Sequence, residues 1–203
     1  MNFKAAVLFK KNKVILENLE VPKLKESQVL VKILYTSICK TQIGEILGQR
    51  GKDKFLPHCL GHEATGIIID KNKKVKKVKI GDKVCLSWIK GKGNDSGGFF
   101  YKNIKGKKIN AGPVNTFSEY SVVSENRVFK LSKKDDLKTS VLLGCALPTG
   151  FNSIFFTLKD CTKGPVFIFG CGGVGLSTIL ACKKKKLKPI IAIDVDMKKL
   201  KLA

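Results

Sequence analysis

With 203 residues, 43% hydrophobic and twelve of them Phe, the chain can build one large domain or two small ones around a real core. No apolar run approaches the ~20 residues of a membrane span, the start MNFKAAVLFKKNK lacks a secretory signal pattern, and seven irregularly spaced cysteines make no disulfide framework, so a cytoplasmic protein without a membrane partner is expected. The net charge of +23 rests on lysine, with Arg50 and Arg127 the only arginines, and no arginine–aromatic stripe accompanies it, so nucleic acid is not expected as a partner.

Residues 5–9, 14–19 and 29–35 are short β-rich runs, the last alternating around Lys32, and each predicts a strand. Residues 41–47 predict a short helix. Strands are expected at 63–69 and at 117–123, and the segment 78–86 carries a Gly81-Asp82 turn before a further strand. Residues 91–113, rich in Gly, Lys and Asn with little periodicity, predict a loop. The lysine clusters at 71–79 and 183–188 read as a turn between strands and a helix end. From Leu137 the pattern changes, and SVLLGCALPTGFNSIFF predicts two helices broken at Pro148. A β-rich domain, residues 1–147, thus precedes the start of an α/β domain, residues 148–203.

Residues 165–196, PVFIFGCGGVGLSTILACKKKKLKPIIAIDVD, hold the most informative motif. A buried parallel strand at 166–169 runs into Gly170-Cys171-Gly172-Gly173-Val174-Gly175, a G-x-G-x-x-G turn that opens a helix through about Lys186. A second strand, 189–193, ends on Asp194, which lies 19 positions beyond Gly175, close to the ~20 expected of a dinucleotide fold. Gly170 allows the tight turn, Gly172 the approach of a pyrophosphate, and Gly175 the close packing of helix on strand. Phosphates would sit on free N–H groups at the positive end of the helix dipole. Asp194 would accept from the ribose hydroxyls and repel a 2′-phosphate, which favours NAD over NADP, although Lys198 and Lys199 stand close by in sequence. The alternative is a βαβ unit whose Gly-rich turn binds nothing.

Cys39, His62 and Cys145 offer two thiolates and one imidazole, a donor set that suits a catalytic zinc with an open fourth position. Spacing alone does not group them. Singly, each has a structural explanation: a small core thiol or a hydrogen-bonded ring.

The segments SICKTQIGEILGQ, LPHCLGHEATGIII and LLGCALPTGFNSIF resemble the zinc-dependent alcohol dehydrogenases of the medium-chain dehydrogenase/reductase family. So do KAAVLFK, KIGDKV, TFSEYSVV and the glycine turn, in order, over essentially the whole chain. The resemblance implies a GroES-like catalytic domain followed by an incomplete Rossmann doubly wound parallel sheet. It implies a zinc held by Cys39, His62 and Cys145, with Glu63 beside the metal or as an alternate ligand. Thr41 falls where a hydroxyl passes the alcohol proton away, and Lys40 where a base meets the coenzyme pyrophosphate. Gly170, Gly172, Gly173, Val174, Gly175 and Asp194 would bind NAD, with Thr149 and Val174 near the nicotinamide, and Trp88 would line the substrate pocket. The implied activity is hydride transfer between a small-molecule alcohol or carbonyl compound and NAD, in a full-length homodimer or homotetramer. His58 reads as a strand-end polar residue, and Cys59, Cys85, Cys161, Cys171 and Cys182 as packing or loop residues.

Departures from the family pattern shape further expectations. No cysteine lies between Cys85 and Cys145, so one catalytic zinc and no structural zinc is expected. Gln42 replaces the acid that commonly supports the histidine ligand, and could accept its imidazole N–H. Gly44 stands where some relatives have an outer histidine of the proton relay. The chain ends just inside the helix after the second strand, so a fragment or truncated form, inactive alone, is expected. Alternatives are a zinc-free quinone-reductase-like relative and a noncatalytic zinc or dinucleotide binder, including a redox sensor that uses Cys171 at the helix start.

Overall fold

The apolar run at residues 5–9, preceded by Phe3, builds strand β1 (Asn2–Lys10) in the computed structural model, which describes residues 1–160 and 163–203. A turn through Asn12, at φ 60°, returns the chain as β2 (Lys13–Glu20), with Phe3 opposite Leu19. These strands close a barrel with β4 (His58–Cys59), β7 (Phe99–Asn103) and β8 (Lys108–Gly112). Phe3, Leu19, Tyr101 and Ile109 fill it, with the Phe3 and Phe99 rings edge-on to Tyr101 at 5.2 and 4.9 Å. Such aromatic contacts add to plain area burial.

The second sheet is antiparallel, in the order β10 (Val128–Lys130), β6 (Lys83–Ser87), β5 (Glu63–Lys71), β3 (Gln28–Thr36) and β9 (Tyr120–Ser124). Val29, Val31, Ile68, Val84 and Leu86 form its core, as β-branched and Leu side chains do on a pleated, buried face. Helix α1 (Lys40–Ile46) follows β3, and α2 (Leu137–Ser140) runs into a 3₁₀ turn, Val141–Gly144.

The described residues divide into two units, Met1–Gly144 and Cys145–Ala203. The second contains α3 (Ala146–Asn152), β11 (Val166–Phe169), α4 (Gly173–Lys184), β12 (Ile190–Ile193) and α5 (Met197–Leu202). β11 and β12 pair in parallel, Phe169 opposite Ile193, around a core of Ile154, Ile168, Ala181 and Leu187. Among the described residues no single helix is long and apolar enough to cross a membrane.

Two expectations are corrected. Residues 91–113 are not a plain loop, because β7 and β8 make a hairpin there whose Phe99, Tyr101, Ile109 and Ala111 point into the barrel core. The helical stretch breaks at Cys145, not at Pro148. Pro148 sits in the first turn of α3, where its missing N–H would have had no helical partner.

Candidate metal centre and glycine-rich turn

Strands β3 and β5 pair with Thr36 opposite Ala64. Cys39, just past the end of β3, and His62, just before the start of β5, are therefore delivered to the same end of one ladder. The Thr36 hydroxyl locks that end by donating to the Glu63 carbonyl at 2.8 Å and sharing a 2.9 Å hydrogen bond with Thr116. One donor atom each from Cys39, His62 and Glu63 lies within 4.8 Å of the others. His62 and Glu63 are buried and Cys39 is partly exposed. Burial, with a smaller push from the Arg50 charge, lowers the pKa of His62 and keeps the imidazole neutral with a lone pair to offer.

The backbone before His62 needs glycine. Gly61 sits at φ 87°, and a Cβ there would meet Phe117 N at 2.6 Å. Its N–H donates to Gln42 Oε1 at 2.5 Å, and Gln42 Nε2 donates to Glu45 Oε2 at 2.9 Å. Gln42 thus holds the residue before His62 rather than accepting from the imidazole itself, which corrects the expectation for this position. Its carbonyl oxygen reaches the Gly61 amide, not the ring.

On the other side of Glu63 the 3₁₀ turn is pressed close. A Cβ on Gly144 would stand 2.6 Å from Glu63 Cβ and from the Leu86 carbonyl oxygen. The Ser87 hydroxyl donates to the Gly144 carbonyl at 2.5 Å. Cys145, the first residue of the second unit, is joined to Gly144 by a peptide bond, so its Cα is ~3.8 Å from that anchored residue. Ser87 and Gly144 are residues that sequence reasoning missed, and no local pattern marks them.

Trp88 meets the His62 ring edge-on at 6.4 Å. The Arg127 guanidinium lies 5.7 Å from the indole centre and donates to the Trp88 carbonyl. His62 and Trp88 line a cavity of about 470 Å³ whose apolar wall includes Phe55, Phe99, Phe100 and Val114. Thr41, partly buried, and Lys40, exposed, occupy the first turn of α1, with Cys39 at the N-cap position but making no side-chain capping bond. The Cys59 and Cys85 thiols are buried and pushed up to about 12, by burial and for Cys85 also by the charge of Glu63. Both stay protonated and inert. Cys171 and Cys182 are likewise buried, while Cys161 lies outside the described residues.

The glycine turn of the second unit has the geometry its residues predict. Gly170 adopts φ 93°, a Cβ on Gly175 would collide with the Gly170 carbonyl, and the space over Gly172 is open to 4 Å. The turn leads into the 12-residue helix α4 with Gly172 as its N-cap. Asp194 accepts from Cys171 N–H at 2.7 Å and from Asp196 N–H at 2.9 Å, and these bonds hold its carboxyl below the usual range. Val174 is exposed near the start of α4, and Thr149, on α3, donates to the Cys145 carbonyl at 2.6 Å.

The family model for the alcohol dehydrogenase GroES-like domain matches residues 25–133. An alcohol dehydrogenase class-3 from Zea mays is 32% identical, covering 98% of this chain and 59% of its own length. Among solved structures, an alcohol dehydrogenase zinc-binding domain protein from Burkholderia ambifaria superposes with a TM-score of 0.87 at 23% identity. It covers all of this chain and 61% of its own. Benzyl alcohol dehydrogenase from Acinetobacter calcoaceticus gives a TM-score of 0.83 at 27% identity, with the same coverages. The chain spans about three fifths of the length of these relatives. A barrel and antiparallel sheet followed by a βαβ unit define a medium-chain dehydrogenase fold. The chain belongs to the alcohol dehydrogenase GroES-like domain family.

Proposed function

We propose that this chain carries the metal centre and coenzyme turn of a zinc-dependent, NAD-linked alcohol dehydrogenase, with Cys39, His62 and Cys145 as the zinc ligands. The convergence of Cys39, His62 and Glu63 at one end of the β3–β5 ladder is the observation that carries it. The donors fit the ion. A neutral imidazole and two thiolates, the second from Cys145 beside the anchored Gly144, balance its charge and leave a fourth position open. Glu63 serves as the carboxylate beside the metal or as an alternate ligand.

Bound zinc would supply Lewis acidity at an alcohol or carbonyl oxygen. NAD would accept or return the hydride. The chain's own residues orient and relay. The Thr41 hydroxyl, two residues after Cys39, takes the proton from the substrate hydroxyl and passes it outward. Gly44 offers no side chain to carry it further, so water or the coenzyme ribose completes the path. Trp88, steadied by Arg127, forms an apolar wall beside His62 that favours a substrate with a hydrophobic body.

In the second unit the first-turn N–H groups of α4, Gly173 and Val174 among them, receive the pyrophosphate, assisted by Lys40. Val174 and Thr149 flank the nicotinamide. Asp194, fixed as an anion against the turn, accepts from the ribose and disfavours a 2′-phosphate. The intact enzyme is then a cytoplasmic homodimer or homotetramer with one catalytic zinc and no structural zinc. A redox-sensing role through Cys171 is disfavoured, since that thiol is 1% exposed.

The test is cobalt substitution of the full-length protein. The wild type should show a thiolate-to-cobalt charge-transfer band and NAD-dependent oxidation of a primary alcohol. Cys39→Ser and His62→Ala should lose both. Full turnover in a variant shown to lack thiolate-bound metal would overturn the assignment.

A further inference from the structure

A different set of donors converges on the far side of Gln42. Glu45 in the last turn of α1, Asp53 in the following loop, and the buried His58 of β4 each offer one atom, all within 4.8 Å of one another. His58 Nε2 lies 2.8 Å from Asp53 Oδ2 and 3.9 Å from Glu45 Oε1. We propose that Glu45, Asp53 and His58 form a thiol-free binding site for a divalent cation such as Mn²⁺, separate from the Cys39–His62 centre and independent of the zinc assignment.

Each donor is held from behind. His58 Nδ1 is 2.9 Å from the Cys59 carbonyl oxygen. A carbonyl only accepts, so Nδ1 carries a proton and Nε2 faces the carboxylates. The Phe55 N–H donates to Asp53 Oδ1 at 2.8 Å, and Gln42 Nε2 donates to Glu45 Oε2 at 2.9 Å. In each carboxylate one oxygen is engaged and the other turns toward His58 Nε2. Metal ligands show this support: the histidine gives its remote N–H to a backbone carbonyl, and the carboxylates are hydrogen-bonded in turn.

A second proton on His58 answers the geometry only in part. It would reach Asp53 at 2.8 Å but not Glu45 at 3.9 Å. A cation meets both. With metal–ligand bonds of ~2.1 Å, those two separations subtend about 85° and about 135° at the ion. One nitrogen and two carboxylate oxygens, without sulfur, suit a hard or borderline ion. Glu45 and His58 also line the 470 Å³ cavity, which has room for waters to complete the coordination.

Metal-free full-length protein would be titrated with Mn²⁺ while the free ion is followed by electron paramagnetic resonance. Wild type and Cys39→Ser should each bind one Mn²⁺ per chain. Asp53→Asn and Glu45→Gln keep an oxygen to accept from Phe55 and Gln42, so their circular dichroism should be unchanged, yet affinity should fall at least ~10-fold. Absence of Mn²⁺ binding by the wild type, binding indifferent to both amide substitutions, or its loss in Cys39→Ser would each overturn the proposal.

Discussion

Gly144→Ala tests how the turn before Cys145 is registered on Glu63. The new Cβ would lie 2.6 Å from Glu63 Cβ and from the Leu86 carbonyl oxygen, and 3.1 Å from Glu63 Cα. Carbon atoms rest at ~3.5–4.0 Å, so the turn must retreat by roughly 1 Å. Two of the opposing atoms are backbone, and neither can swing away. Overpacking of this kind costs about 1–3 kcal/mol, and pulling the Gly144 carbonyl off the Ser87 hydroxyl adds about 1 kcal/mol. Reduced freedom of the unfolded chain returns about 0.4–1 kcal/mol. The net is a loss of about 2 kcal/mol, which would lower Tm by about 4–8 °C in a unit of 150–250 residues and by less in a longer chain. Thermal unfolding of the full-length protein reads the stability, and the charge-transfer band after cobalt loading reads whether Cys145, the proposed second thiolate ligand, has moved. Gly172→Ala is the control, since nothing lies within 4 Å of its added Cβ. It should leave stability within about 0.5 kcal/mol of wild type while weakening NADH binding. An unaltered Tm and an unaltered cobalt spectrum in Gly144→Ala would mean that the turn does not bear on Glu63 and Leu86.

Gln42→Leu leaves the Gly61 N–H without its side-chain acceptor, and should cost about 1–3 kcal/mol by chemical denaturation; an unchanged midpoint would mean that this bond does not hold the segment. The carboxyl of Asp95 is lowered to about 2, chiefly by the Gly97 N–H and further by Asn126 and Lys90. Its stabilisation is complete above the ordinary pKa of ~3.9 and is lost as pH falls through the folded value of about 2. The Tm gap between wild type and Asp95→Asn should therefore be open at about pH 5 and close toward about pH 2. A gap constant over that range would contradict the bonding described.

Strands β3 and β5 were legible from their runs of apolar, largely β-branched residues at 29–31 and 67–69, and β3 is buried on both faces there, Leu30 in the barrel core and Val29 and Val31 in the sheet core. The β7–β8 hairpin was hidden by composition. Its signal is the spacing of two between Phe99 and Tyr101 and between Ile109 and Ala111, on either side of the Gly106 turn at φ 75°, and the surrounding Gly, Lys and Asn masked it. The candidate metal centre was legible only through the family resemblance. Cys39 and His62 meet because Thr36 pairs with Ala64, a register set by the whole sheet and written in no local pattern. The partner of Gln42 was hidden for a related reason, since Gly61 presents its N–H only at φ 87°. Glu45, Asp53 and His58 share neither helical nor strand spacing, and β4, which carries His58, is only two residues long.

Gln42 links two neighbourhoods with a group whose ends are chemically unlike. Its oxygen can serve only the amide of Gly61, and its nitrogen only the carboxylate of Glu45. An aspartate or glutamate here could satisfy the first and would repel the second. The amide therefore makes a one-way connector between the carboxylate beside His58 and the peptide that introduces His62, and an acidic substitution would break the first contact while leaving the backbone contact intact.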